Sequence, residues 1–260
     1  MMEKLIMKID KRSDPRLKKH GIKMKADGYD KSIKEPLPQP NFFTIFVGAP
    51  GSGKTTLAYR LFNDKNFKGG YYGVFDKIYL FSRSLSSIVS TINISEKRQF
   101  QDFDLVDINN ALTEAREDFI QSIEDPQEDP QTEDEKPHQS LFVFDDCATL
   151  FEKDIKSFMN MVYNRRNMGI SIFLITQKYN KIPMQIREAL SSCFLFKPNT
   201  KNELITIYKD LIDNLSIEEF REMVRKSFDE KHVFLLIKKF NHKENEYYRN
   251  FNKIELKRLN

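Results

Sequence analysis

The stretch GAPGSGKTT, Gly48 to Thr56, stands between the apolar run FFTIFV and the segment LAYRLF. It fits the pattern G-x-x-x-x-G-K-[ST], in which glycines let backbone N–H groups converge on phosphate oxygens. The pattern requires a strand before the loop and a helix that starts near Lys54, with its positive end toward the phosphates. Both flanks fit, so the sequence predicts a nucleotide-binding loop in an α/β protein rather than a glycine-rich turn without a ligand.

The residues of this phosphate loop have expected roles. Lys54 can reach the β- and γ-phosphates, and the hydroxyl of Thr55 is a ligand for Mg²⁺. ATP and Mg²⁺ are therefore the expected ligands. The nucleotide contacts are expected at Gly48, Ala49, Pro50, Gly51, Ser52, Gly53, Lys54, Thr55 and Thr56. Kinases, GTPases and motors share such a loop, so it leaves open what the hydrolysis is used for.

The length of 260 residues fits one large α/β domain with extensions, or at most two small domains. Residues 1–41 form a basic arm that ends in KEPLPQPN, whose prolines predict a linker without a regular helix. The ATPase domain is expected over residues 42–240, and residues 241–260 are predicted to form a basic tail. Segment 124–139, EDPQEDPQTEDEKPHQ, has no apolar residue and is predicted to be a solvated or disordered loop.

Apolar strands alternate with helical segments, which indicates a parallel sheet covered on both faces. The expected strands are VFDKIYLFS, a short FDLVD, LFVFDD, ISIFLITQ, CFLFK and HVFLLIKKF. No apolar run approaches the length of a membrane span, and the start MMEKLIMKIDKR is too charged for a signal peptide. Cys147 and Cys193 form neither a metal spacing nor a disulfide framework. We therefore expect an intracellular protein without a membrane span.

Two acids, Asp145 and Asp146, end the apolar strand LFVFDD, where α/β sheets place their ligands. In a phosphate-loop enzyme Asp145 would hold Mg²⁺ through the water shell of the ion or through the Thr55 hydroxyl. Asp146 would orient or deprotonate the attacking water. The structural alternative is that Asp146 caps the following helix.

A second polar strand end and an arginine pair complete the candidate site. The strand SIFLITQ ends on Gln177, whose amide could position water near the γ-phosphate or could simply face solvent. Arg165 and Arg166 in NRRNMG could neutralise a transferring phosphoryl group in a neighbouring subunit, or they could complement the dipole of a helix end. Arg187 is a further candidate for contacts with phosphate or DNA.

The order of these motifs resembles that of the FtsK/HerA superfamily of DNA-pumping ATPases, specifically the genome-packaging ATPases of poxviruses, giant DNA viruses, virophages and related transposons. The stretch RRNMGISIFLITQKYNKIPMQIREALSSCFLFK is particularly similar to theirs. The resemblance implies a RecA-like core in which an additional strand, the glutamine strand, lies between the phosphate-loop strand and the acidic strand. It also implies a homo-oligomeric ring, a pentamer or hexamer, around double-stranded DNA and a capsid or portal partner.

The resemblance implies that Lys54 and Thr55 contact phosphate and Mg²⁺ and that Asp145 binds the metal. It also implies that Asp146 is the catalytic acidic residue. Gln177 is the sensor, and Arg165 or Arg166 acts on the site of a neighbouring subunit. Asp146 stands where Glu is commoner in these ATPases, and the side chain of Asp is one methylene shorter. The implied location is the host cytoplasm, in a virus factory, or the nucleus, with association with the virion as a further expectation.

Two other functions fit the phosphate loop. The first is a kinase that passes phosphate to a small acceptor, although such an enzyme would be expected to have an arginine-rich lid after the core. The second is a nucleotide-gated adaptor that recruits other proteins. The basic arm and tail could supply sequence-independent contacts to DNA phosphates, or they could be solvated surface.

Overall fold

A computed structural model describes residues 29–84, 93–124, 136–147, 154–198, 200–239 and 244–256. The strands are β1 Phe43–Val47, β2 Lys77–Ser82, β3 Gln99–Phe100, β4 Ser140–Asp145, β5 Ile170–Thr176, β6 Ser192–Phe196, β7 Phe234–Lys238, β8 Glu246–Arg249 and β9 Asn252–Lys253. The helices are α1 Lys54–Asn63, α2 Leu105–Glu124, α3 Ile155–Asn164, α4 Met184–Glu188, α5 Lys201–Leu211 and α6 Ile217–Ser227.

The strands form one sheet in the order β3-β2-β4-β5-β1-β6-β7-β8-β9. The pairings from β3 to β6 are parallel, and those from β6 to β9 are antiparallel. The expected α/β fold with a mostly parallel sheet is confirmed. The glutamine strand β5 lies between the phosphate-loop strand β1 and the acidic strand β4, which confirms the additional-strand order.

The central strands are apolar on both faces because both faces are covered. In β1, Phe43, Ile45 and Val47 belong to one core cluster, whereas Phe46 belongs to the cluster on the opposite face. The first cluster also contains apolar residues of α2, α3, α5 and α6, and the second contains apolar residues of α1. Thr44 is tolerated in this core because its hydroxyl hydrogen-bonds that of Ser192 at 2.8 Å.

The helices each bury one face and leave the other polar. In α2, Ile108, Ala111, Ala115 and Phe119 are buried over about three turns, while the intervening positions carry mostly polar and charged side chains. The capping box of Ser216 and Glu219 starts α6. Within the described ranges no helix combines the length and the apolar character needed to cross a membrane.

The predicted strand FDLVD is wrong, because α2 already begins at Leu105. Asp104 accepts hydrogen bonds from the backbone N–H groups of Val106 and Asp107 at 2.7 and 3.2 Å. An acidic acceptor at this position satisfies N–H groups that the first helical turn leaves unpaired. The carboxylate of Asp104 therefore favours a helix in a segment whose apolar spacing is ambiguous.

The segment before β1 packs on the domain rather than linking to it. Residues 29–41 contain no helix, as the prolines predict, but Ile33 and Leu37 are buried in the same core cluster as α1. The hydroxyl of Tyr71 donates to the carbonyl of Pro38 at 2.9 Å. Burial of these apolar side chains is the physical reason that the segment joins the domain.

The expected domain end at 240 is also wrong, because β8 and β9 extend the sheet. Backbone pairing joins β7 to β8, and Tyr247 and Tyr248 are buried on opposite faces. The aromatic side chains supply the apolar area that the basic composition of this segment obscures. The arm over 1–28, most of the acidic loop (125–135) and the end of the tail (257–260) lie outside the described residues.

We predict that Gly169→Ala is strongly destabilising, because Gly169 has φ +61° and an added Cβ would lie 2.2 Å from Cδ2 of buried Phe119. The expected loss is about 2 to 5 kcal/mol from left-handed strain and overpacking. Gly73→Ala is the matched control, since Gly73 has φ +73° and open space around it. It should lose only about 1 to 2 kcal/mol. Equal losses in urea unfolding would contradict the close packing at Gly169.

Candidate active site

The candidate site lies at the carboxyl ends of β4, β5 and β1, where the phosphate loop leaves β1 and enters α1. Parallel pairing sets Val47 opposite Thr176 and Asp145 opposite Ile175. The polar groups that follow these strands therefore meet at one edge of the sheet. Open α/β sheets bind their ligands at this edge.

Backbone geometry in the phosphate loop explains its glycines. Gly51 and Gly53 have φ values of +70° and +101°, which residues other than glycine rarely adopt. Gly48 is required by packing, since an added Cβ would lie 2.5 Å from the Cβ of Phe196 in β6. The hydroxyl of Ser52 is buried without a hydrogen-bond partner in the described structure. The loop thus carries a polar group that a phosphate oxygen could satisfy.

Lys54 starts α1 and is 7% exposed. Its Nζ donates to the carbonyl of Ala49 within the loop at 2.8 Å. Burial lowers the pKa of Lys54, while the charges of Asp145 and Asp146 oppose this shift. A buried ammonium that hydrogen-bonds a loop carbonyl is available to an anionic ligand in the same loop.

Asp145 is buried and receives two hydroxyl groups from α1. Thr55 Oγ1 donates to Oδ2 at 3.2 Å, and Tyr59 Oη donates to the same oxygen at 3.3 Å. Thr55 and Tyr59 are four residues apart, so both lie on the face of α1 that packs on the sheet. Thr55 and Asp145, which are both expected to hold Mg²⁺, are thus in contact in the structure.

Burial raises the pKa of Asp145 to about 6, although the hydrogen bonds from Thr55 and Tyr59 oppose that shift. The adjacent charge of Asp146 raises it further, while Lys54 lowers it. A divalent cation would favour the ionised carboxylate. The hydroxyl of Thr55 and the carboxylate of Asp145 are hard oxygen donors, which suit Mg²⁺.

Asp146 and Gln177 are brought together at the edge of the sheet. Nε2 of Gln177 donates to Oδ2 of Asp146 at 3.1 Å, and both residues are exposed. Asp146 has φ +54°, a left-handed conformation that Asp tolerates better than most residues. The described helix that follows, α3, is capped by Asp154 and not by Asp146.

Arg165 and Arg166 lie just before β5, at the amino ends of the parallel strands and therefore opposite the candidate site. Nε of Arg165 donates to the carbonyl of Asn41 at 2.8 Å, and Nη1 donates to that of Val162 at 2.7 Å. Arg165 therefore closes the end of α3 and ties it to the segment before β1. Arg166 is exposed.

Arg187 is committed inside the protein. Its guanidinium forms an ion pair with Asp210 and lies 5.0 Å from the ring centroid of Tyr179. Its side chain is 11% exposed. These internal contacts argue against the expected role of Arg187 in binding phosphate or DNA.

Tyr59 is a site residue that the sequence analysis did not predict. The available signal was its position four residues after Thr55, on the helix face that meets the sheet. A tyrosine at such a position is usually read as part of the core, and most of Tyr59 is indeed buried. Only the structure shows that its hydroxyl reaches Asp145, 86 residues away in the chain.

The chain matches a known protein family over most of its length. A sequence profile described as "Poxvirus A32 protein" matches residues 30–253. None of the curated proteins compared with the chain matches it. The match includes the phosphate loop, the two acids and the glutamine strand.

Solved structures share the fold at low sequence identity. B204, the DNA-packaging ATPase from Sulfolobus turreted icosahedral virus, is 16% identical with a TM-score of 0.53, covering 80% of this chain and 97% of B204. The genome packaging NTPase B204 from Sulfolobus turreted icosahedral virus 2, in complex with sulfate, is 14% identical with a TM-score of 0.50. The match covers 81% of this chain and 97% of that NTPase. The cytoplasmic domain of the Thermomonospora curvata type VII secretion ATPase EccC is 14% identical with a TM-score of 0.50. The match covers 80% of this chain and 25% of the EccC chain.

We predict that Tyr59→Phe weakens binding of a divalent cation about tenfold, because Asp145 loses a hydroxyl that orients its carboxylate. The measurement is Mn²⁺ titration by electron paramagnetic resonance in the presence of a non-hydrolysable ATP analogue. Tyr71→Phe is the matched control, since the Tyr71 hydroxyl contacts only the carbonyl of Pro38 among the hydrogen bonds of the described residues. Equal Mn²⁺ affinities in the two variants would refute the role of Tyr59.

Proposed function

Since the chain belongs to the poxvirus A32 protein family, we propose that it is an ATPase that translocates double-stranded DNA and packages a viral genome into a capsid. B204, which has the same fold, is a DNA-packaging ATPase of a virus. Family membership and fold support ATP hydrolysis as the source of energy. The role of B204 in DNA packaging and the excess of Lys and Arg over 1–40 support translocation along DNA as the use of that energy.

The observation that carries the proposal is the hydrogen bond between Gln177 and Asp146 beside the phosphate loop. An enzyme that transfers phosphate to a small acceptor needs a pocket for that acceptor. An exposed carboxylate paired with an amide instead offers one acceptor and one donor to a water molecule. The pair is thus suited to activate water for attack on a γ-phosphate.

Each side chain of the site has one role in this reaction. Lys54 neutralises charge on the β- and γ-phosphates, and backbone N–H groups of residues 48–56 hold the phosphates. Asp146 accepts a proton from the attacking water, and Gln177 orients that water. The side chain of Gln177 also links the state of the γ-phosphate to β5, as a sensor would.

Mg²⁺ fits the oxygen donors of Thr55 and Asp145, and when bound it would neutralise phosphate charge. Tyr59 holds the Asp145 carboxylate from the side of α1.

Arg166 is the better candidate for action on a neighbouring subunit. Arg165 donates to two backbone carbonyls, whereas Arg166 is exposed. The seven residues of β5 span roughly 20 Å, so an arginine before β5 cannot reach the phosphate loop of its own chain. A homo-oligomeric ring, a pentamer or hexamer, would bring Arg166 to the site of the next subunit.

DNA and capsid contacts complete the proposal. The chain carries eleven Lys and Arg against six Asp and Glu over 1–40, and such an excess favours contact with DNA phosphates. A capsid or portal component is the expected protein partner. The virus factory in the host cytoplasm or the nucleus is the expected location, with association with the virion. The ATPase domain is proposed to extend from the segment before β1 through β9.

We predict that double-stranded DNA stimulates Mg²⁺-dependent ATP hydrolysis, because a translocase couples turnover to contact with DNA. The measurement is phosphate release with and without DNA across a salt series, since phosphate contacts weaken as salt rises. Lys54→Ala should abolish turnover, and this variant controls for contaminating ATPases. Phosphorylation of a nucleoside without any effect of DNA would instead identify a kinase. Unchanged packaging with Lys54→Ala would favour an adaptor.

We predict that Arg166→Ala lowers turnover on the order of 10³-fold, because the variant loses a charge that acts on a neighbour's phosphates. Mixing Arg166→Ala with Lys54→Ala subunits should restore part of the activity, since one junction then has an intact loop and an intact arginine. Arg165→Ala is the control and should mainly lower the temperature of unfolding. No recovery at any mixing ratio would argue against shared sites.

A further inference from the structure

Glu203 is a buried carboxylate that has no part in the proposed reaction. It lies in the first turn of α5 and is 4% exposed. Burying a carboxylate is costly unless hydrogen bonds compensate for the lost water, and the backbone N–H of Tyr179 donates to its Oε1 at 2.8 Å. Tyr179 follows Gln177 by two residues, so this contact joins α5 to the segment that carries the glutamine.

We propose that Glu203 is a positioning residue for Gln177. Its carboxylate fixes the backbone just after the glutamine, and thereby the place at which the amide meets Asp146 and the attacking water. Glu203 acts through the backbone and does not itself touch the nucleotide. The inference rests on the proposed function, since it requires Gln177 to orient a water molecule for ATP hydrolysis.

The local sequence around Glu203 predicts a different partner for its carboxylate. Thr200 and Glu203 have the spacing of a capping box, in which the glutamate accepts from the backbone N–H of the N-cap residue. Ser216 and Glu219 form that reciprocal pair in α6, where the N–H of Ser216 donates to Glu219 at 2.7 Å. The Thr200 hydroxyl also accepts from the N–H of Glu203, at 3.2 Å, but Oε1 of Glu203 reaches a residue 24 positions earlier in the chain. The carboxylate therefore makes a tertiary contact that the local motif does not need.

The segment around Gln177 is held on the side of β5 as well. The backbone N–H of Lys178 donates to Oγ1 of Thr176 at 3.4 Å, and the side chain of Tyr179 is fully buried. Gln177 thus lies between anchored neighbours, although its own side chain is exposed. Two residues span at most about 7 Å, so an anchor at the N–H of Tyr179 leaves the backbone of Gln177 little freedom.

Helix α5 contacts the same segment at a second point. Arg187 lies 5.0 Å from the ring centroid of Tyr179 and forms an ion pair with Asp210 of α5. Asp210 follows Glu203 by seven residues, which is close to two turns, so both lie on one face of the helix. The ring contact remains when Glu203 is replaced. Loss of the Glu203 carboxylate should therefore loosen the backbone after Gln177 without unfolding the segment.

The test is a double-mutant cycle between Glu203→Ala and Gln177→Ala, measured as the kcat of Mg²⁺-dependent ATP hydrolysis. Each single substitution should lower kcat on the order of 10²-fold, because a small misplacement of a reacting group is enough to cause such a loss. In the Gln177→Ala background, Glu203→Ala should change kcat less than about twofold, since the residue through which it acts is absent. Glu203→Ala should leave the affinity for a non-hydrolysable ATP analogue unchanged, because Glu203 lies outside the phosphate loop.

Glu219→Ala is the matched control, since it removes the same side chain from the same helical position in α6, where the partner is Ser216. It should leave kcat unchanged in both backgrounds. Glu203→Gln should keep most of the wild-type kcat, because its amide oxygen can still accept from the N–H of Tyr179. If thermal unfolding shows that Glu203→Ala does not fold, Glu203→Asp takes its place, since Asp keeps the charge but is one methylene shorter.

An undiminished kcat in Glu203→Ala, or equal losses with and without Gln177, would overturn the positioning role. A Glu203→Gln variant as slow as Glu203→Ala would overturn it too, as would a loss of analogue affinity in Glu203→Ala. Wild-type protein that hydrolyses ATP no faster than Lys54→Ala would instead overturn the proposed function, and with it the role of Gln177.

Discussion

In-register parallel pairing of β4, β5 and β1 is the constraint on which the site depends. Val47 pairs with Thr176, and Asp145 pairs with Ile175, so the phosphate loop, the acids and Gln177 leave the sheet at one level. A slip of one residue would exchange the faces of every side chain in a strand. Such a slip would remove Asp145 from the face that α1 covers. Burial on both faces makes this register costly to change.

Much of the fold could be predicted because the central strands are continuous apolar runs. The runs that contain Asp145 and Gln177 form β4 and β5 within a residue or two of their expected bounds. The segment FDLVD could not be assigned from its apolar spacing, since the carboxylate of Asp104 decides in favour of a helix. The segments on either side of the expected domain were misjudged because a few buried side chains, such as Leu37 and Tyr247, outweigh a basic composition.

The parts of the site that form local motifs were predictable, and those that depend on distant contacts were not. Spacing alone indicates Lys54, Thr55 and the two acids. The contact of Tyr59 with Asp145 depends on the packing of α1 against β4, which local spacing does not specify. The left-handed backbone at Asp146 also suggests why this chain has Asp where Glu is commoner, since Asp tolerates that conformation better.

Helix α1 connects the phosphate loop to the acidic strand. At its start, Lys54 donates to the loop carbonyl of Ala49, and further along the helix Thr55 and Tyr59 contact Asp145. One helix thus fixes the position of the loop lysine relative to the carboxylate that is proposed to hold Mg²⁺. A displacement of α1 relative to the sheet would therefore alter the phosphate loop and the surroundings of Asp145 together.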